Sequence, residues 1–280
     1  MRPSAFPKPG GGRLCRMPIA GLLRPGPLPR TGLGRRTLLA ETALVLGVTL
    51  GASALWSLLS LINKLTLPVA LDQQTTAMNS SVTPDRPWLD LAYQLLPIAL
   101  GVVPALLALH LLRRDDRGAA ALIGADRRHL GRDLLAGAGL AGLIGIPGLG
   151  LYLIARELGL NTTIAAANLA EHWWTIPVLI LAAAQNAILE EVVMVGYLLT
   201  RWRQAGASPV TGIVLSALIR GAYHLYQGFG GFLGNVVMGL IFGAAYTRTR
   251  RVLPLVIAHT ILDIVSFVGY ALLKNHLTWL

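Results

Sequence analysis

Glu190 and Glu191 sit side by side in the run Ala187-Ile-Leu-Glu-Glu-Val-Val-Met-Val-Gly-Tyr197, which is apolar enough to lie in a bilayer. A carboxylate at that depth costs roughly 2.5–3.5 kcal/mol on insertion scales, so an adjacent pair implies use. Further along, His224 falls in one apolar run, and His259 with Asp263 in another. His259 and Asp263 are i and i+4, stacked on one helix face with Cβ atoms about 5–6 Å apart. Imidazole nitrogen plus carboxylate oxygen at that spacing suits a single divalent cation. With His224 they make three ligands and leave a fourth position for water, as catalytic zinc requires. The same set suits other divalent ions. Successive glutamates diverge by about 100° around a helix, so only one faces such a site squarely. Glu190 is assigned that place, as the general base that takes a proton from water and passes it to a leaving amine. Glu191 is expected beside it, orienting a ligand or pairing with a cation.

Arg220 is a further intramembrane charge, one turn before His224 on the same face, and needs a carboxylate partner. Glu191 is the natural candidate. Asn186, one turn before Glu190, and Asn235 are supporting candidates for positioning substrate or water, although polar glue between helices also explains them. Each histidine alone reads equally well as a satisfied polar group. Their combination with the acids at one depth is what points to chemistry.

These residues need elements that hold them in a membrane. The chain of 280 residues is 54% hydrophobic and 13% charged, against about 25% charged for a soluble domain. Its apolar runs are long and unbroken, which predicts an all-α, polytopic helix bundle. About seven spans are expected, near residues 37–62, 87–112, 134–154, 173–200, 209–226, 231–247 and 252–273. The third is expected to break at Gly145-Ile-Pro-Gly148, and Trp173, Trp174, Trp279, Tyr223 and Tyr226 are read as interfacial anchors. Residues 1–36 read as a disordered basic tail, 37–172 as amino-terminal helices and loops, 173–272 as the catalytic core and 273–280 as a short tail. The net charge of +11 comes from loops and the tail, which favours membrane lipid over nucleic acid as partner. Of 24 Lys and Arg, 19 lie in the tail, in 113–132, at Arg201 and Arg203, and at Arg248, Arg250 and Arg251, which predicts N-in, C-out. With those boundaries the site residues fall roughly 12–22 Å into the membrane and are expected to converge. The single Cys15 excludes an intramolecular disulfide.

These motifs resemble the CPBP family of CAAX proteases and bacteriocin-processing membrane proteins. The family pattern is Glu-Glu-x-x-x-Arg, then Phe-x-x-x-His, then His-x-x-x-Asn/Asp. Glu190-Glu191 matches the first, His224 the second, and His259 with Asp263 the third. Two positions depart from it: the arginine is Val195 here and the phenylalanine is Arg220. One arginine lost and one gained predicts that the guanidinium reaches the glutamates from the fifth helix. The resemblance implies an intramembrane endopeptidase of the cell membrane that acts on a peptide or lipidated protein, with a glutamate-activated water and a divalent metal such as zinc. The alternatives are a non-catalytic membrane adaptor, which the missing arginine favours, and an ion-coupled transporter.

Overall fold

The computed structural model describes residues 31–115 and 117–276; the tail to residue 30, with Cys15, lies outside them, as does Trp279. The bundle is all-α, with one two-stranded ribbon among the described residues. Helices α1 (Arg35–Gly47) and α2 (Leu50–Thr66) form a pair bent by 50°. At the bend the Thr49 hydroxyl donates to the Val45 carbonyl, a back-bond that disturbs the helical ladder. Strand β1 (Thr75–Ala77) follows, then α3 (Pro87–Gly101) and α4 (Val103–Arg113), which together make one 27-residue span. After the short α5 (Ala119–Leu122) comes α6 (Leu130–Glu157). The expected break in α6 does not occur. Pro147 sits inside a continuous helix, and Gly145 lets the Leu262 side chain approach so closely that a Cβ would meet it at 2.8 Å.

Strand β2 (Thr163–Ala165) leads to the central helix, made of α7 (Thr175–Glu190), a π-helical segment (Glu191–Tyr197) and α8 (Leu198–Gln204). Half of its most apolar window is buried inside the protein, more than for any other span. Trp173 is exposed, as an anchor would be, but Trp174 is buried among Val178, Leu179 and Phe267. Helix α9 (Pro209–Ala222) starts at Ser208, whose hydroxyl accepts the Thr211 N–H at 3.1 Å, with Pro209 pre-set for the first turn. A tight turn then feeds α10 (Phe229–Thr249), and α11 (Leu253–Leu273) ends the bundle.

Among the described residues, five helical stretches are long and apolar enough to cross a membrane, six if the bent α1–α2 pair counts as one span. The seven expected positions are all helical, but α9 has 14 residues, about 21 Å against a hydrocarbon core of about 30 Å. The outer faces suit lipid: Trp56, Leu135 and Ile146 are 72%, 78% and 79% exposed.

The two ends of the bundle differ. At one end Arg251 clasps Asp133 through Nε at 2.8 Å and Nη2 at 2.6 Å, and donates to the Asp126 carbonyl at 2.9 Å. The Arg128 N–H, with the nearby guanidinium charges, holds the Asp126 carboxyl below the usual carboxylate range. At the other end β1 and β2 pair in parallel and meet the α9–α10 turn, where Asn161 bridges to Gly228. Gly228 has φ +114°, and a Cβ there would sit 2.6 Å from the Leu160 carbonyl oxygen, so glycine is required.

Candidate active site

Helices α7, α9 and α11 bring the site together. α9 packs closely on α10 because Gly239 and Gly243 face Ala217 and Ile213; a Cβ on Gly239 would meet Ala217 Cα at 2.8 Å. α11 packs on α7 and α6. Arg220, on the last turn of α9, is thereby aimed at the end of α7. Its Nη2 donates to Glu191 Oε1 at 2.6 Å, and its Nη1 lies 3.4 Å from Glu190 Oε2. The expected pairing of Arg220 with Glu191 is therefore present, and Val195, where the motif arginine would stand, is buried in the apolar core.

Glu191 is wholly enclosed. Its Oε1 also accepts from His259 Nδ1 at 2.7 Å. Glu190 keeps 12% of its side chain exposed and accepts the Tyr223 hydroxyl at 2.7 Å. His224 Nδ1 lies 3.0 Å from the Arg220 carbonyl, which can only accept, so Nδ1 carries the proton and a neutral ring has its lone pair on Nε2. His259 Nε2 is 3.7 Å from Asp263 Oδ1, and Asn186 Nδ2 reaches Asp263 Oδ2 at 3.4 Å. Asn235 donates to the Gly231 carbonyl of its own helix at 3.0 Å, a bond that ties it to α10 rather than to the acids.

The expected metal ligands are only partly assembled. Among the described residues, the one group whose ligand atoms lie within 4.8 Å of one another is Glu190, Glu191 and His259; His224 and Asp263 stand outside it. This trio fits a divalent cation by donor type. Glu191 Oε2 is buried without a hydrogen-bond partner, an acceptor that such an ion would satisfy.

Tyr223 is the residue that sequence reasoning missed. It is 5% exposed and bound to Glu190, not an interfacial anchor, and Tyr226 stacks on His224 with ring centroids 6.3 Å apart. Its place beside His224, three residues after Arg220, was the available signal. Residues 172–265 match the family of Type II CAAX prenyl endopeptidase Rce1-like proteins. Over that third of the chain the sequence resembles the Rce1-like proteins. The Rce1-like region contains Glu190, Glu191, Arg220, Tyr223, His224, His259 and Asp263, and it points in general to a CAAX-type intramembrane protease in a multi-pass membrane protein. No curated protein and no solved structure matches the chain.

Proposed function

We propose that the protein is an endopeptidase of the cell membrane that hydrolyses a peptide bond in a membrane-associated or lipidated protein or peptide. The observation that carries this reading is the division between the two glutamates. Glu191 is fully buried with its Oε1 taken by both Arg220 and His259, whereas Glu190 is held on one oxygen by Tyr223 and is partly exposed. Glu190 takes a proton from a water and returns it to the leaving amine. Glu191 and Arg220 fix its position, and Tyr223 orients its carboxylate. A divalent cation, zinc being one that the donor set suits, would be held by Glu190, Glu191 and His259 and would supply Lewis-acid polarisation of the scissile carbonyl. Elemental analysis of the purified protein tests that part. About one equivalent of metal, lost in Glu191→Gln together with a drop in Tm, is expected, and metal at background level in folded protein rules the cation out.

The test of the activity is mass spectrometry of C-termini and small peptides in membranes from a deletion strain that carries wild-type protein or Glu190→Gln at equal abundance. New C-termini that require wild type are expected. The same peptides from both strains, with Glu190→Gln restoring the deletion phenotype, would leave the adaptor reading instead.

A further inference from the structure

The β1–β2 ribbon beside the His224 turn has one open edge. Thr75, Thr76 and Ala77 pair in parallel with Thr163, Ile164 and Ala165. Thr163 N–H reaches Gln74 O at 3.0 Å, and Met78 N–H reaches Ala165 O at 2.9 Å. Backbone groups of alternate strand residues point to opposite edges, so Gln74, Thr76 and Met78 face β2, and the N–H and C=O of Thr75 and Ala77 face outward. Those four groups have no hydrogen-bond partner among the described residues. The outer edge of β2 is different: the Tyr152 hydroxyl takes the Ile164 N–H at 3.1 Å, and Gln227 O takes the Thr162 N–H at 3.0 Å.

The open edge belongs to a strand tied to the site. Thr76 is buried, with its hydroxyl 2.7 Å from Thr162 Oγ1 and 3.2 Å from the Tyr226 carbonyl, and Lys64 Nζ donates to the same carbonyl at 2.6 Å. Tyr226 stacks on His224. β1 also joins α2, which packs on α9 and the His224 turn, to α3, which packs on the Glu190 helix. Thr75 and Ala77 are exposed.

We infer that the free edge of β1 captures the substrate as an added strand, holding an extended peptide over the His224 side of the site. The inference rests on the peptidase reading and names how its substrate is held. A peptide bond inside a helix is shielded, and unwinding it within or beside a membrane leaves backbone groups unsatisfied. Outward N–H and C=O groups on every second residue supply partners for such a segment about 4.8 Å away.

The test uses Glu190→Gln protein in micelles and a pool of biotinylated random-sequence decapeptides. The pool should be retained, and the same pool N-methylated at alternate residues should be retained roughly tenfold less. Ala77→Pro removes one outward N–H without touching the ladder and should lower retention similarly at unchanged Tm. If that variant fails to fold, the methylated pool still decides. Equal retention of both pools, or of neither, overturns the inference. So does a dimer that Ala77→Pro dissolves without changing peptide retention, since the edge would then pair two copies. A pool that Glu190→Gln captures and wild type leaves uncut would remove the peptidase reading and keep the edge.

Discussion

Arg220 shows how a guanidinium can serve two acids from a different helix than the family pattern uses. It is 1% exposed, Glu191 is fully buried, and the bond between them is 2.6 Å, so neither charge has water to fall back on. Removing one member of such a pair strands the other and costs roughly 3–5 kcal/mol, whereas replacing both can be nearly neutral. Arg220→Leu should therefore lower unfolding stability by about that amount, and adding Glu191→Gln should recover much of it. A double variant no more stable than Arg220→Leu, measured by thermal unfolding in detergent, would refute the pairing as the source of the loss. This contact was legible in the sequence because charge and depth left Arg220 few partners. The Tyr223 bond to Glu190 was not, because a tyrosine near a span end is equally at home at an interface. The choice between His224 and Glu191 beside His259 was also beyond spacing, since it depends on how far α9 is turned about its axis.

At the scale of elements, the π-helical segment solves a phase problem. At one end Glu191 must face Arg220 and His259. At the other, Arg201, fully buried, bonds Asp115, donates to the Leu111 carbonyl at 2.6 Å and lies 3.4 Å from Glu41, which also accepts from Tyr197. Two buried ion-pair networks on one helix need their side chains at set angles, and a π bulge supplies the extra residue that reconciles them. Deleting Met194 would restore α-helical register and turn one end relative to the other by about 100°. The deletion should keep helical content by circular dichroism and lower stability by at least about 3 kcal/mol, the cost of one broken buried pair. A deletion variant as stable as wild type would show that neither network needs this phase. Hydropathy could not reveal the segment, because a π bulge and an α-helix bury the same apolar residues. The β1–β2 ribbon was hidden for another reason: three-residue strands are too short for a period to register, and their partners lie far apart in sequence. The span positions were legible because each is a long apolar run.

For the whole molecule, the short α9 decides which side each terminus reaches. Fourteen residues alone are too few to cross, but the helix runs from one end of the bundle to the other. It begins just after Arg201 and Arg203, and its far end meets the β-ribbon end through His224 to Gly228. The missing length is filled by that turn and by Asn161 and Thr162, which are buried and bonded to it. Irregular backbone at such depth is tolerated when enclosed in protein and hydrogen-bonded, as the Asn161 contacts to Gly228 and Gly231 are. Counted as a crossing, α9 puts the end of α11 opposite the start of α1; without it, the two share a side. Single cysteines placed in a Cys15→Ser background separate these cases. With a membrane-impermeant maleimide on intact cells, Val82→Cys and His276→Cys should label, and Arg128→Cys should label only after permeabilisation. Protection of His276→Cys with labelling of Val82→Cys would mean that α9 does not cross. The reversed pattern at Val82 and Arg128 would overturn the charge-based orientation itself.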